Sequence, residues 1–207
     1  AIEARRKTQT LSTFVLVDVQ AKFDQLGRLD LMQGLADAAA EYLADADPNT
    51  SGFSLEERRN DLLNHARIEQ MLGDVAQFRG QHPNAISHHE QSLALFEQAS
   101  AHGASTIVDR CRSNLRLGDA HLSRGATEPA IARYQACTTL ANHALADAAC
   151  NETKADLVDV AAQSLAAAAD ITRDRNQFGP AIAQYQQALA MLESSEASTD
   201  AVARRRA

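Results

Sequence analysis

Residues 117–137 read LGDAHLSRGATEPAIARYQAC, and this arrangement of small, acidic and aromatic residues occurs three times in the chain. The other copies are LGDVAQFRGQHPNAISHHEQS at residues 72–92 and AADITRDRNQFGPAIAQYQQA at residues 168–188. The Ala-Ile pair recurs after 45 and then 51 residues. Spacings of this size are typical of arrays of helical repeats, so the chain is predicted to fold as such an array.

Four features keep the same spacing in every copy. A small residue is followed at once by an aspartate, and an Ala-Ile pair begins twelve positions after the small residue. A ring stands three residues past the Ile, and another small residue stands three positions further on. The copies are Gly73, Asp74, Ala85, Ile86, His89, Ser92; Gly118, Asp119, Ala130, Ile131, Tyr134, Cys137; and Ala169, Asp170, Ala181, Ile182, Tyr185, Ala188. Small residues at matched positions let two antiparallel helices approach closely, so each copy is predicted to be a helical hairpin.

Turn residues stand in the middle of each copy. Glycine can end a helix in a left-handed conformation, and proline suits the first turn of the next helix. The turns are Arg79-Gly80, Arg124-Gly125 and NQFGP at residues 176–180, and the prolines are Pro83, Pro129 and Pro180. A single hairpin cannot bury its apolar side alone, so the hairpins are expected to stack.

These residues resemble the tetratricopeptide repeat family. Its signature is a Leu-Gly pair in the first helix of a hairpin, then Ala, an aromatic residue and a small residue in the second helix. The resemblance covers residues 54–196 and implies an all-α right-handed superhelix of stacked antiparallel hairpins. The period exceeds the family's usual 34 or so, which implies helices longer than usual. The aromatic residues usual in the first helix are missing, with Glu69, Asn114 and Leu165 at one of their positions.

Three segments follow from this pattern. Residues 1–53 are predicted to form an N-terminal helical hairpin and a loop, residues 54–196 three repeat hairpins, and residues 197–207 a flexible tail. Ser54 and Glu57 form a capping-box pattern at the start of the first repeat helix. The helices are expected at about 54–79, 83–101, 104–124, 128–149, 152–175 and 180–195.

The N-terminal segment carries a second resemblance. Residues 14–43 are similar to the segment that precedes the repeats in bacterial multidomain signalling proteins, including membrane-linked Ser/Thr kinases and proteins with Toll/interleukin-receptor-like domains. The similarity is carried by FVLVDVQAKFDQLGRLDLM at residues 14–32, above all by LGRLD at residues 26–30. The chain also begins at Ala1 rather than Met. It is therefore expected to be one module of a larger protein.

Composition excludes several classes of function. The net charge of the 207 residues is −7, and residues 8–203 carry 14 basic and 26 acidic side chains. Binding to phosphate backbones requires the opposite sign, so no nucleic-acid partner is expected. No apolar run approaches the roughly 18 residues of a membrane span, and no signal peptide is visible. The basic residues 4–7 favour a cytoplasmic location, and the three cysteines lack metal-type spacing.

A partner-binding groove is implied by the tetratricopeptide resemblance, because the first helices of stacked hairpins line a concave surface. The positions that would line it are Arg67, Gln70, Asp74, Gln77, Phe78, Arg112, Leu115, Asp119, Leu122, Gln163, Asp170 and Arg173. Asp74, Asp119 and Asp170 form an acidic row where carboxylate-binding relatives use Asn. The expected partner is therefore a basic or amphipathic segment, and Asp119→Lys is expected to weaken its binding with little change in melting temperature. The alternative is an internal Arg–Asp ladder that holds the hairpins together.

Three further clusters of His, Cys or acidic residues are interpreted as structural or surface residues rather than as sites. His143, Asp147 and Cys150 would share one helix face, but a single helix rarely closes a metal site. His88 is expected at the surface and His89 in the packing, while the carboxylates of Glu152, Asp156 and Asp159 are expected to be solvated. No phosphate loop, nucleophile elbow or HExxH motif occurs. No catalytic residue, metal or cofactor is therefore predicted.

The sequence thus predicts a non-catalytic protein-interaction module, the scaffold or sensor part of a bacterial signalling protein. A peptide or helix would bind in the concave groove. The main alternative is a self-association module in which the apolar helix face of Leu11, Val15, Val19, Phe23 and Leu26 pairs two chains. A small hydrolase or metal enzyme is the third hypothesis.

Overall fold

The fold is all-α throughout the part of the chain that the structure describes. A computed structural model describes residues 54–147, 150 and 153–206, with side chains through residue 195. Within these ranges there are six helices and no strand. They are α1 Leu55–Phe78, α2 His82–Ala101, α3 Ile107–Ser123, α4 Thr127–Ala146, α5 Lys154–Asp174 and α6 Phe178–Arg206. The predictions for residues 1–53 lie outside the described residues.

The first repeat helix begins at the predicted capping box. The Oγ of Ser54 accepts a hydrogen bond from the backbone N–H of Glu57 at 3.2 Å, and the Oε2 of Glu57 accepts one from the backbone N–H of Ser54 at 3.0 Å. Both bonds satisfy backbone donors that have no partner within the helix. Such a cap typically stabilises a helix by about 1 kcal/mol.

The turns inside the three hairpins have one backbone geometry. Gly80 and Gly125 adopt positive φ angles of 71° and 79°, and Asn176 takes the same place in the third copy with a φ of 61°. The residue after each of them donates its N–H to a carbonyl five positions back: Gln81 to Ala76, Ala126 to His121 and Gln177 to Thr172. Asparagine tolerates the left-handed conformation better than most residues, so NQFGP can form the same turn as Arg-Gly.

The helices divide between two compact units, Ala1–Ala104 and Ser105–Ala207. In the first unit, α1 packs along α2, and Phe96, Ile68 and Met71 are fully buried. In the second unit, α3 pairs with α4 and α5 with α6, and α5 also packs against both α3 and α4. This second unit therefore contains two hairpins in direct contact.

The core of the second unit lies between these two hairpins. One buried cluster includes Val108, Cys111, Cys137, Leu157 and Val160. A neighbouring cluster joins Tyr134 of α4 to Ala168 and Ile171 of α5. The side chains of Cys111 and Cys137 are fully buried and pack as small apolar residues, whereas Cys150 is half-buried.

Two helix ends differ from the sequence prediction. Helix α4 ends at Ala146 rather than near 149, because the Asp147 backbone is extended with a ψ of 113°. Helix α6 continues to Arg206 through the segment assigned to the polar tail. Residues 193–206 contain neither Gly nor Pro, the two residues that most disfavour a helix.

Candidate functional site

In the first two copies the ring lies on the small residue of the facing helix. A methyl group added at Gly73 would collide with the His89 imidazole, and one added at Gly118 would collide with the Tyr134 ring. Both rings are about 1% exposed. Only a residue without a side chain allows the ring to reach the helix backbone at these places.

The aspartate after the small residue faces the same ring. Tyr134 donates its hydroxyl to Asp119 Oδ1 at 2.7 Å, and Tyr185 donates its hydroxyl to Asp170 Oδ1 at 2.6 Å. In the first copy, His89 Nε2 lies 3.7 Å from Asp74 Oδ1. Each aspartate of the predicted acidic row therefore contacts the ring of its own hairpin. The aspartate and the ring are fifteen residues apart in every copy. This constant spacing is the feature of the sequence from which their contact could have been predicted.

This contact changes the expectation for Asp119→Lys. The sequence analysis expected weaker partner binding with an unchanged melting temperature. A lysine at this position removes the acceptor of the Tyr134 hydroxyl and places an ammonium group beside that donor. We therefore expect a loss of stability as well, so a variant at Asp119 cannot separate binding from folding.

A second contact recurs farther along each hairpin. Ser92 Oγ donates to the carbonyl of Ala66 at 2.8 Å, and Cys111 Sγ donates to the carbonyl of Cys137 at 3.6 Å. The two residues are 26 positions apart in both hairpins, as are Ala162 and Ala188, which are both buried. The small residues of the pattern thus lie at the helix–helix contact, as predicted.

The pKa values of Tyr134 and Asp119 are both shifted from their ordinary values. Burial raises the pKa of Asp119 above its usual 3.8, while the Tyr134 hydrogen bond and the charge of Arg116 oppose that rise. Burial also raises the pKa of Tyr134, and the bond to Asp119 raises it further because the neutral hydroxyl is the donor. The raised pKa keeps the Tyr134 hydroxyl protonated at neutral pH, so it remains the donor of this bond.

The raised Asp119 pKa predicts a pH effect on stability. The folded state holds the Asp119 proton more tightly than the unfolded state does. This contribution to stability is therefore fully present below the unfolded pKa near 3.8 and is lost as pH rises through the folded pKa. Relative to Asp119→Asn, which does not titrate, the wild-type protein should gain free energy of unfolding as pH falls from 7 to 4. Paired urea denaturation curves across this range measure the difference, and a wild type that loses stability relative to Asp119→Asn would contradict the prediction.

The groove positions predicted on α1 are mostly half-buried. Arg67, Gln70, Asp74 and Gln77 keep intermediate exposure, whereas Phe78 is 67% exposed. The side-chain oxygen of Gln77 lies 3.3 Å from His82 Nδ1. Among the groove positions predicted on this helix, Phe78 is therefore the exposed apolar side chain.

The positions predicted on α3 divide between surface and core. Arg112 is exposed and lies 3.7 Å from Asp156 of α5. Leu122 is 39% exposed, but Leu115 packs against both core clusters of the unit. Leu115 therefore contributes to the contact between hairpins more than to a binding surface.

The positions predicted on α5 are polar and accessible to solvent. Gln163 is exposed and donates to Asp159 Oδ2 at 2.9 Å. Arg173 Nη1 lies 2.8 Å from Asp170 Oδ1, and Arg173 Nη2 lies 3.0 Å from Asp174 Oδ1. The Asp170 carboxylate is thus shared between the Tyr185 hydroxyl and the Arg173 guanidinium.

Ion pairs do join the two hairpins of the second unit, as the ladder alternative required. Arg112 faces Asp156, and Arg175 Nη2 lies 2.5 Å from Glu128 Oε1. All four side chains are at least 40% exposed, so each pair contributes about 0–1 kcal/mol. Neither pair uses Asp74, Asp119 or Asp170.

A groove of about 240 Å³ lies between α4, α5 and α6 and was not predicted. Its polar lining residues have neutral side chains, and the Thr138 and Thr172 hydroxyls donate to the carbonyls four positions back. The side-chain oxygen of Gln184 is buried there without a hydrogen-bond partner. The lining residues are Ile131, Tyr134, Gln135, Thr138, Thr139, Leu165, Ala168, Thr172 and Gln184. The spacing of apolar residues in the sequence does not predict a groove of this kind.

The described residues contain no cluster of three or more His, Cys, Asp or Glu side chains that could hold a metal ion. His143, Asp147 and Cys150 do not share a helix face, because α4 ends at Ala146. His88 Nδ1 pairs with Glu69 at 2.8 Å, and Asp156 and Asp159 are exposed. Glu152, the third member of that carboxylate group, lies outside the described residues.

Comparison with protein-family models and with curated proteins finds no match to this chain. The proposed kinship with tetratricopeptide repeats therefore depends on the motif and on the repeated contacts described above. Among the described helices, none combines the length and the apolar character that crossing a membrane requires.

Proposed function

We propose that residues 54–206 form a tetratricopeptide-type protein-interaction module that binds a basic or amphipathic segment on the outer face of α3 and α5. The observation that carries this proposal is an acidic stripe along α5. Asp156, Asp159, Asp170 and Asp174 recur at helical spacing on one face, with Gln163 between them. The stripe spans 19 residues, or about 27 Å from its first to its last Cα.

Both accessibility and charge support a basic partner. Asp156, Asp159 and Asp174 are exposed. Arg112 beside Asp156 and Arg173 beside Asp170 and Asp174 offset part of the charge of the stripe, and Asp159 has no arginine among the ion pairs of this face. On α3 the neighbouring surface adds Asp119 and the exposed apolar side chain of Leu122. Complementary charge would steer a cationic helix to this face and set its orientation.

Rigid support for this face comes from the contacts inside the hairpins. The ring–aspartate bonds at Asp119 and Asp170 fix α3 to α4 and α5 to α6. The Tyr134 cluster fixes α4 to α5. A preformed surface loses little conformational entropy on binding, which favours recognition by many weak contacts. In this proposal the module is a scaffold or sensor within a larger bacterial signalling protein.

Charge reversal on the stripe tests the proposal. The probes are a Lys/Leu amphipathic helical peptide and its counterpart in which every Lys is Glu, measured by fluorescence anisotropy. We expect the protein to bind the Lys peptide alone. Asp159→Lys combined with Asp174→Lys should weaken that binding by at least about tenfold, because like charges then face each other. Neither residue takes part in a ring contact, so the melting temperature should change little.

The matched control carries the same change of charge on another helix. Glu90→Lys combined with Glu97→Lys alters two exposed positions of α2. If this control weakens binding as much as the α5 variant does, the attraction depends on net charge and the proposed site is wrong. Equal binding of the Lys and Glu peptides would contradict the acidic-stripe mechanism as well.

A further inference from the structure

Two cysteine side chains of the second unit meet at the contact between α3 and α4. Cys111 of α3 and Cys137 of α4 are both fully buried, in the cluster that also contains Val108 and Leu157. Cys111 Sγ lies 3.6 Å from the carbonyl oxygen of Cys137, so the thiol of α3 reaches the backbone of α4. Both thiols are therefore held on the same short stretch of the helix–helix contact.

The corresponding positions of the other two hairpins carry smaller side chains without sulfur. They are Ala66 and Ser92 in the first hairpin and Ala162 and Ala188 in the third, and all four are buried. Ser92 Oγ lies 2.8 Å from the carbonyl oxygen of Ala66, so the helices approach closely there as well. Packing at this contact therefore does not require a thiol on either helix, and the middle hairpin has one on both.

The approach of the two helices suits a disulfide bond. Helices in contact lie with their axes about 8–10 Å apart, and small residues favour the lower value. Because each Cα lies about 2.3 Å from its helix axis, Cα atoms that face each other are then about 4–6 Å apart. A disulfide needs Cα atoms about 4.4–6.8 Å apart. The bond can therefore form between facing residues without separation of the helices.

The titration of Cys137 agrees with direct contact between the two thiols. A hydrogen bond from the Cys111 thiol lowers the pKa of Cys137, and burial opposes this shift. A thiol can stabilise the neighbouring thiolate in this way only when its S–H group lies against the other sulfur. Cys111 thus contacts both the carbonyl oxygen and the sulfur of Cys137.

We propose that Cys111 and Cys137 form a disulfide bond in the presence of a disulfide oxidant such as oxidised glutathione, and that this bond fixes α3 to α4. One cysteine thiolate attacks a glutathione sulfur, forms a mixed disulfide and releases the first reduced glutathione. The other cysteine then attacks the protein sulfur of the mixed disulfide and releases the second. The protein loses two electrons and two protons, which the two glutathione molecules take up. Because both thiols are buried, the exchange occurs when the second unit opens transiently. This proposal does not depend on the acidic stripe of α5.

Equilibrium with glutathione buffers tests the proposal on the full 207-residue chain. Cys150→Ala leaves Cys111 and Cys137 as the two thiols of the chain, and alkylation followed by mass spectrometry measures the fraction that is bridged. The effective concentration of the pair should be about 100-fold higher in the folded protein than in concentrated urea, because the fold holds together two residues that are 26 positions apart. An equal or lower effective concentration in the folded protein would overturn the proposal.

Stability provides a second measurement, because a bond that the folded state favours must favour the folded state by the same factor. Oxidation of the Cys150→Ala protein should lower its unfolding equilibrium constant by about 100-fold in urea denaturation. Cys111→Ala in the same background is the matched control, since Ala66 and Ala162 occupy the equivalent position in the other hairpins. This control should have the same stability in oxidising and reducing buffer. A bridged protein no more stable than the reduced one, or an equal response of the control, would contradict the proposal.

The third cysteine tests the identity of the pair. Cys150 is half-buried and packs against the same cluster. Peptide mapping of the oxidised wild-type chain should find Cys111 joined to Cys137, with Cys150 either reduced or joined to glutathione. A bridge from Cys150 to one of the two buried cysteines as the main product would show that the proposed pairing is wrong.

Discussion

Replacing Tyr134 by alanine is expected to lower the free energy of unfolding by about 3–5 kcal/mol, the usual cost of removing a fully buried aromatic side chain. Tyr134 is 1% exposed, and its ring lies on Gly118 of α3 and packs with Ala168 and Ile171 of α5. One side chain thus joins three helices of the second unit. Urea denaturation followed by circular dichroism measures the loss, and hydrogen exchange should locate it in residues 107–174.

Two variants separate the causes of this loss. Tyr134→Phe removes only the hydroxyl bond to Asp119, which is worth about 1 kcal/mol because the carboxylate is still partly hydrated. Tyr185→Ala removes the equivalent ring of the third copy, which is only half-buried on the outermost helix, and should cost less than half as much. The variants are compared at low protein concentration. An equal loss of free energy of unfolding for Tyr134→Ala and Tyr185→Ala would mean that burial of the ring does not set the cost.

The hairpins could be predicted because their determinants are local. Gly80 and Gly125 close helices through their own backbone freedom, and Ser54 caps a helix through a residue three positions away. The positions of Asp119 and Tyr134 in the pattern were equally visible in the sequence. That their side chains bond to each other depends on the rotation of α4 against α3, which the spacing alone does not specify.

The candidate surface was less predictable, because it too depends on how the helices are rotated against one another. Resemblance assigned Leu115 to a groove, but its side chain packs between two core clusters where α3 meets α5. The stripe of Asp156, Asp159, Asp170 and Asp174 has helical spacing in the sequence. It becomes a candidate surface only once Asp156, Asp159 and Asp174 are seen to be exposed. The exposure of Phe178, Ile182 and Leu189 likewise depends on how α6 is rotated against α5.

Gly118→Ala should destabilise the second unit even though alanine is a better helix former than glycine. The new methyl group would overlap the Tyr134 ring, which is held from one side by its hydroxyl bond to Asp119 and from the other by the α5 cluster. Overpacking of this kind costs about 1–3 kcal/mol, and the gain in helix propensity offsets about 1 kcal/mol at most. The expected net loss in free energy of unfolding is therefore about 1–2 kcal/mol, measured by urea denaturation.

Gly179→Ala provides the matched control, because no atom lies within 4 Å of a Cβ built at that position in α6. The same chemical change should be neutral there or stabilise by up to about 1 kcal/mol through propensity alone. Gly73→Ala is the independent repeat, since its methyl group meets the His89 ring in the other unit, and it should destabilise as Gly118→Ala does. The contrary outcome is that Gly73→Ala, Gly118→Ala and Gly179→Ala all stabilise the protein equally. The two rings would then be free to move aside. The close approach of ring and glycine would then not be what holds the two helices of each hairpin together.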